Sequence, residues 1–460
     1  MKNIVLMILL LALAAFGNCR ISNIQWSGSR EKEDEAFLAH LVGEPCGSAE
    51  AVESIGSAVM LLQEHYENKG FVGAQVFYSI EGTTLYVELK KGLGYVWAAS
   101  ENLDSGKTRP AVFQRLSGLT VGAPVSLFDL RRSDRKLSRL GYYEKTAEPR
   151  MFRDPVRNRI VPAFSLKKAN VSEAEGFLTY SSESNVWEGK IDVSLYNILG
   201  TARDLVLEGY SLENSRSMYG FYKEPWVLGT FWSVLFRGSF EEEVLETREK
   251  NAYGEVGVSR DIGFDFNISI FLGIGSNDKR TSMEVEYVSL DRFSLPRRGT
   301  HVKMVAAYRM NRPDSLENLL YSELAVAHYI PIYGNFISRF CGKAGGVFPT
   351  DGEYLRSDLF ALGGLESFKG MQYRETYSRS YGFSELALLW QDGYDLSLEI
   401  FYQPGLYRRM WPGHGWALQQ SYGLGFTQYR ENWSISIYYA MTNGKNYLDG
   451  ILGFGVKTLF

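Results

Sequence analysis

The sequence predicts two small α+β domains followed by an all-β transmembrane barrel of about sixteen antiparallel strands. From residue 172 onward, polar and apolar residues alternate one by one, the pattern of strands that have one lipid face and one polar face. After residue 18 the sequence has no run of about eighteen apolar residues, which a membrane-spanning helix would need. The 29 tyrosines and 46 glycines suit many strands with aromatic ends and tight turns.

Residues 1–18 are predicted to be a secretory signal peptide. One lysine precedes the apolar run 4–15, and small residues follow it. The mature chain is therefore expected to be exported, with a cleavage site at Ala12-Leu13-Ala14. A lipidated Cys19 remains an alternative, although Phe16-Gly17-Asn18 fits the preceding pattern poorly. We expect no bridge between Cys46 and Cys341, because they fall in regions assigned to different compartments.

Residues 20–94 and 95–170 are predicted to be two copies of one unit. Val42-Gly43-Glu44-Pro45 returns as Val121-Gly122-Ala123-Pro124, and a glycine with an aromatic residue closes a helix in each copy. The first helix covers 51–69, with its apolar face at Val52, Ile55, Val59, Leu62 and Tyr66. In the second copy Ser126 is the expected N-cap, and the buried stripe comprises Leu127, Leu130, Leu137 and Leu140.

Residues 172–460 are predicted to be the barrel, with sixteen strand cores between 176 and 460. An even number of antiparallel strands can close, and closure leaves no unpaired main-chain edge in lipid. One connection, 349–379, is much longer than the others. Loops of this length are usually functional or disordered.

The long loop carries the most informative motif of the chain, Leu362 to Met371. This segment resembles the loop-six signature of the BamA/TamA superfamily of outer-membrane assembly and translocation factors. Its core there is Val/Ile-Arg-Gly-Phe/Tyr; here lysine stands for arginine and methionine for the aromatic residue. The matching motif residues are Gly363, Gly364, Phe368, Lys369, Gly370 and Met371.

Other fragments extend this resemblance along the chain. The two N-terminal units are similar to POTRA domains, which implies that they receive unfolded clients in the periplasm. The segments 197–203 and 291–299 resemble two turns of the family's barrel, and the aromatic C-terminus resembles an assembly signal. The signal residues are Phe454, Val456 and Phe460.

The resemblance also implies that loop 349–379 folds inward into the barrel, and that its cation has two partners there. An acidic residue from each of two later strands holds the family's arginine, and the matching positions here are Glu385 and Gln403. Lysine needs fewer acceptors than arginine, so one carboxylate and one amide oxygen could satisfy Lys369. We therefore hypothesise a loop that is held less tightly than in the family.

The expected function is the insertion or translocation of other proteins at the bacterial outer membrane. The alternatives are a two-partner-secretion-like transporter of one dedicated substrate and a passive or structural channel. The expected partners are unfolded client proteins and the lipid bilayer, with an accessory periplasmic protein or lipoprotein left open. The sequence shows no metal-ligand spacing, phosphate loop or nucleophile elbow, so we expect no enzyme activity, cofactor or metal. The scattered charges, net −4, argue against nucleic-acid binding.

Overall fold

The computed structural model shows small α+β elements followed by a closed β-barrel. It describes residues 19–460 apart from 29–30, 47–48, 105–107, 155, 170–171, 182–185, 213–214, 245–247, 277, 312–317, 350–357, 365–366, 373–374, 394, 412–413, 431–432, 444–449 and 460. The predicted signal peptide therefore lies outside the described residues.

The first small sheet has the strand order β1-β3-β2, with β1 parallel to β3 and β2 antiparallel to it. Its elements are β1 (Asn23–Gly28), α1 (Asp34–Leu38), α2 (Ala49–Asn68), β2 (Gln75–Glu81) and β3 (Thr84–Lys90), with a 3₁₀ turn at Ala39–Leu41. Four of the five residues predicted for the apolar face of α2 are buried; Val52 is exposed. The helix therefore packs on the sheet through the predicted apolar face without Val52.

A disulfide joins Cys19 to Cys46, with the two Cα atoms 5.2 Å apart. Main-chain hydrogen bonds between the two segments bring the cysteines together, because Cys46 N–H donates to the Cys19 carbonyl at 2.9 Å and Ile21 N–H donates to the Glu44 carbonyl at 2.9 Å. The sequence did not predict this bridge. It occupies the sulfur atom that a lipid thioether at Cys19 would need.

A second small sheet contains β4 (Val96–Trp97), β5 (Glu101–Asn102), β6 (Tyr143–Asp154) and β7 (Arg159–Lys168), with β7 pairing the other three. Helices α3 (Pro110–Ser117) and α4 (Leu127–Arg139) precede β6. Ser126 Oγ accepts a hydrogen bond from the Asp129 N–H at 3.1 Å, which confirms the predicted N-cap of α4. Leu130 and Leu137 of the predicted stripe are buried.

The barrel is a ring of seventeen antiparallel strands among the described residues. Sixteen are long, as predicted, and the extra strand, β19, is a three-residue segment inside the long loop. The strands are β8 (Glu173–Ser181), β9 (Val186–Leu195), β10 (Asp204–Leu212), β11 (Ser215–Glu224), β12 (Trp232–Val244), β13 (Arg248–Ile262), β14 (Phe266–Gly275), β15 (Asp278–Val288), β16 (Gly299–Asn311), β17 (Leu319–Tyr333), β18 (Phe336–Pro349), β19 (Phe360–Leu362), β20 (Thr376–Asp392), β21 (Leu396–Trp411), β22 (Gly415–Arg430), β23 (Trp433–Thr442) and β24 (Ile451–Leu459).

Residue alternation sorts the side chains between the outside of the barrel and its lumen. On β18, Phe340 is exposed on the outer face, whereas Arg339 lies in ion pairs with glutamates of other strands. The outer face carries exposed apolar side chains, including Leu207, Phe236, Val256, Ile270, Leu272, Leu324, Leu388, Ile400, Leu418, Leu424 and Leu452. The alternation therefore produces an apolar outer surface and a charged lumen.

The chain forms two compact units. One comprises the described parts of Met1–Leu103 with Leu119–Ser133 and Glu148–Phe164; the other comprises Asp104–Gly118, Asp134–Ala147 and Ser165–Phe460. The predicted domain boundaries at 94/95 and 170/172 are not tested by this division and remain a prediction.

Within the second unit, the end of α4 contacts turns at the rim where β8 begins, which we call the near rim. Arg139 pairs with Asp265 at 2.7 Å, and Lys136 pairs with Asp261 at 3.3 Å. A cavity of about 720 Å³ lies between these residues and lumen side chains that include Arg237.

Across the described ranges, no helix is both long enough and apolar enough to span a bilayer.

Candidate functional site

Within the long loop, β19 pairs with β20 and so returns the chain to the barrel wall. Gly363, directly after β19, has φ of +125°, and a β-carbon there would overlap the Gln372 carbonyl oxygen. Glycine is therefore required for the sharp turn. Gly364 N–H donates to the Met371 carbonyl at 3.1 Å, and Met371 N–H donates to Phe368 at 3.0 Å. These bonds fold the motif into a compact turn with Lys369 at its tip.

The Lys369 ammonium binds two carboxylates. Its Nζ lies 2.9 Å from Glu385 Oε2 on β20 and 3.1 Å from Glu399 Oε1 on β21. It also lies 4.3 Å from the centre of the Phe401 ring. The structure thus brings Lys369 and Glu385 together, and it adds Glu399, a partner that the sequence reasoning missed.

A second cation completes the group. Arg339 Nη2 on β18 lies 2.6 Å from Glu385 Oε1 and 2.8 Å from Glu399 Oε2. Each cation therefore contacts both anions, and we call Arg339, Lys369, Glu385 and Glu399 the charge ring. Its formal charges cancel, which is the condition under which buried charges are tolerated.

Gln403 is a partner of the loop main chain rather than of the ammonium. Its Oε1 accepts the Lys369 N–H at 3.0 Å, and its Nε2 donates to the Ser367 carbonyl at 2.6 Å. The expectation of one carboxylate and one amide around the ammonium was therefore wrong. The second anion comes from Glu399, and the amide of Gln403 can satisfy a main-chain donor and an acceptor at once, which a carboxylate cannot.

The flanking residues of the motif are buried against the wall. Phe368 is fully buried, with its ring centre 5.2 Å from that of Phe383 and 5.5 Å from that of Tyr407. Met371 packs in the same cluster, in place of the family's aromatic residue. The loop is therefore held by apolar packing as well as by charge.

Gly370 lies against strands β22 and β23. Its carbonyl accepts a hydrogen bond from Thr442 Oγ1 at 2.7 Å, and a β-carbon at this position would overlap the hydroxyls of Ser421 and Thr442. Only glycine lets the main chain approach this closely. The predicted motif residues thus form one site, in contact with strands β20 to β23.

Strand alternation contained the signal that could have found the missed residues. Glu399 lies four positions before Gln403 on the same strand, so both side chains face the lumen. Arg339 lies on the lumen face of β18, the neighbour of β20. A search of the inner faces near Glu385 for further charges would have included both.

The first and last strands of the barrel meet in a short seam. Among described residues, β24 pairs with β8 only through Thr458–Ala174 and Leu459–Glu173. By contrast, β23 pairs with β24 over eight residues and β8 with β9 over nine. Most described residues of the two facing edges therefore have no ladder partner across the seam.

The predicted C-terminal signal lies on β24. Phe454 and Val456 are exposed on alternate positions of this strand, and Phe460 lies outside the described residues. The assembly role of these residues remains a prediction.

The described residues contain no group of three or more histidine, cysteine or acidic side chains arranged to hold a metal ion. In the charge ring both carboxylates face cations, and the glycines and apolar residues around it fix the loop in place. The arrangement is suited to holding a loop in the lumen.

No protein-family model matches the sequence, and no curated protein matches it. Among solved structures, CdiB from Escherichia coli is similar with a TM-score of 0.61 at 13% identity, covering 96% of this chain and 91% of that chain. CdiB from Acinetobacter baumannii has a TM-score of 0.54 at 13% identity, covering 96% and 90%. This chain has the CdiB fold.

BamA from Haemophilus ducreyi lacking POTRA domains 1–3 also matches, with a TM-score of 0.49 at 14% identity, covering 96% of this chain and 100% of that chain. The two CdiB structures confirm, at the level of the fold, the resemblance predicted from the loop motif. The long loop and the seam belong to a barrel of this architecture.

Proposed function

We propose that this protein is a bacterial outer-membrane barrel that inserts or translocates other proteins. The observation that carries the proposal is the seam: among the described residues, two residue pairs join β24 to β8, while the adjacent ladders have eight and nine pairs. In lipid, unpaired main-chain groups at a strand edge cost free energy, so we infer that the short seam serves the function of the barrel.

The seam provides main-chain donors and acceptors to an incoming strand. A client strand that pairs with the free edge of β8 or β24 needs no particular sequence, because main-chain hydrogen bonds supply the affinity. Among the described residues, opening the seam breaks two pairs, Thr458–Ala174 and Leu459–Glu173. Opening between β17 and β18 would break a ladder that runs from Leu319–Pro349 to Tyr333–Phe336.

The charge ring has a supporting role in this mechanism. It fixes the loop to Glu385 on β20 and Glu399 on β21, and Gly370 adds a contact to Thr442 on β23, the neighbour of β24. In this mechanism the loop stays bound to the wall while the seam opens. Because the ring is neutral, the loop can be held without a net charge buried in the lumen.

The N-terminal domains are proposed to be POTRA-like and to lie in the periplasm, where they would receive clients. In the first small sheet, β1 and β2 are the outer strands, so each has one edge free of ladder partners within that sheet. Such edges can accept an extended client segment. Deleting residues 20–165 should leave a barrel that inserts but no longer assembles clients; normal assembly would contradict the receptor role.

A lock across the seam tests the proposal. Cysteines at Ala174 and Thr458, which pair directly, should form a disulfide that stops client assembly in cells, and reductant should restore it. The matched control places cysteines at Ser259 and Ser269, which pair directly between β13 and β14. Both variants carry Cys341→Ser. Normal outer-membrane protein levels with the seam fully locked would refute the lateral route.

A second candidate is a transporter of one dedicated substrate, similar to two-partner-secretion transporters. The predicted number of N-terminal repeats, two, favours it, because those transporters commonly have two POTRA domains. In that case depleting this protein from the cell would leave the levels of outer-membrane proteins unchanged, while one secreted protein would no longer be exported. A passive channel predicts neither effect, and its conductance would be unchanged by the seam lock.

A further inference from the structure

The inward loop has a second attachment to the barrel wall, eleven residues before Lys369, at Asp358. The Asp358 carboxylate pairs with Arg309 Nη1 on β16, and its carbonyl accepts a hydrogen bond from Tyr321 Oη on β17 at 2.9 Å. The residue is 2% exposed. A carboxylate buried this deeply is stable only when it is paired.

Arg309 is itself held by the wall. Its Nε lies 2.7 Å from Asp278 Oδ2 on β15, and the same oxygen lies 2.9 Å from Arg280 Nε. Arg280 Nη2 in turn donates a hydrogen bond to Asn251 Oδ1 on β13 at 3.2 Å. The loop carboxylate therefore completes a network that the wall positions, since Arg309 has one anion from the wall and one from the loop.

The two attachments have opposite polarity. At Lys369 the loop supplies the cation and the wall supplies the anions, whereas at Asp358 the loop supplies the anion and the wall supplies the cation. They also use different strands: β20 and β21 at Lys369, but β16 and β17 at Asp358. A shift of the loop along the wall would separate both sets of partners at once, so together they define one position.

We propose that Asp358 is a second positioning residue of the inward loop, and that its pairing with Arg309 keeps residues 358–362, which we call the first arm, against β16 and β17. The biological meaning rests on the proposed function, because a client would meet this arm in the lumen. According to this inference, the first arm and the Lys369 tip of the loop can be released from the wall separately. Breaking the Asp358 contact should free the first arm while the Lys369 tip stays bound.

The test uses full-length protein in detergent and in planar bilayers, in a Cys341→Ser background, with Leu359→Cys as a reporter beside Asp358. Asp358→Asn should raise the rate of maleimide labelling at this cysteine about tenfold or more, since it removes a buried charge-assisted contact. Single-channel conductance should rise or become noisier. The labelling of a Ser367→Cys reporter near the Lys369 tip should stay unchanged.

Asp278→Asn is the matched control, because it removes the other anion of Arg309 and leaves the loop contact in place. It should destabilise the barrel without raising labelling at position 359. Asp358→Glu should restore most of the protection. Heat-modifiable gel mobility reports whether each variant has folded.

Equal labelling in Asp358→Asn and the parent protein would overturn the inference, and so would an equal rise in Asp278→Asn. If labelling rises as expected and client assembly is unaffected, the inference stands and the proposed function of the loop fails. The labelling and assembly assays thus separate the two failures.

Discussion

Replacing Lys369 with alanine removes one cation from the charge ring and leaves two carboxylates with Arg339 alone. The Lys369 side chain is 10% exposed and that of Glu385 is 5% exposed, so solvent can screen the remaining charge only weakly. Removing one partner of a buried pair typically costs about 3–5 kcal/mol. Because Arg339 Nη2 still contacts both carboxylates, we expect the lower end, about 3 kcal/mol.

A second substitution tests whether charge is the cause. Lys369→Ala with Glu385→Gln leaves one cation and one anion, Arg339 and Glu399, so the ring is again neutral. The double variant should recover about 1–3 kcal/mol relative to the sum of the single changes. Simple loss of packing at Lys369 predicts no such recovery.

The loop reporter is Ser367→Cys in a Cys341→Ser background, labelled with an impermeant maleimide. Ser367 is buried, so its labelling requires the loop to leave the wall. A cost of about 3 kcal/mol corresponds to roughly 100-fold more of the released state. The control is Lys343→Ala, whose pair with Glu323 at 3.3 Å is partly exposed and should be worth about 1 kcal/mol or less. If Lys369→Ala labels no faster than this control, the charge ring does not hold the loop.

Three further predictions concern other contacts. Gly370→Ala should displace the tip of the loop and raise labelling at Ser367, because the added methyl group overlaps two wall hydroxyls. Cys46→Ser should lower the stability of the first small domain by about 3–4 kcal/mol, because it opens a loop with a sequence separation of 27; pulse proteolysis in urea measures the change. Hydrogen bonds from Lys69 and then Lys91 hold the pKa of Glu31 below its ordinary value. Its stabilisation is therefore present above the unfolded pKa and is lost as the pH falls through the folded pKa, so the domain should weaken in acid.

The controls for these three changes are specific. Alanine at Gly254, where an added β-carbon meets nothing within 4 Å, should leave the loop labelling unchanged. Reductant should reproduce the Cys46→Ser effect in the parent protein and have no effect in the variant. Glu31→Gln should flatten the acid limb of the stability curve, and an unchanged limb would show that Glu31 is not the titrating group.

Local patterns in the sequence determine much of this fold. Residue alternation determines which side chains of β18 or β21 face the lumen, because the strand period of two does not depend on distant partners. Spacing of three and four determines the buried face of α2, and Ser126 determines where α4 begins. The glycines of the loop motif predict a tight turn, because few other residues adopt its backbone conformation.

Only the tertiary structure decided which charges meet. The register between strands brings Glu399 and Arg339 into the charge ring and Asp358 to Arg309. That register is determined by the pairing of whole strands and not by any short segment. Between β20 and β21 it shifts at Tyr377–Ser378 and again at Ser378–Ser380, and no local pattern encodes these shifts. The bridge from Cys19 to Cys46 likewise depends on main-chain bonds between distant segments. Alternation is a property of each strand alone, whereas the charge ring and the disulfide are properties of how segments align, and that alignment is set by the closed barrel and the packed domain.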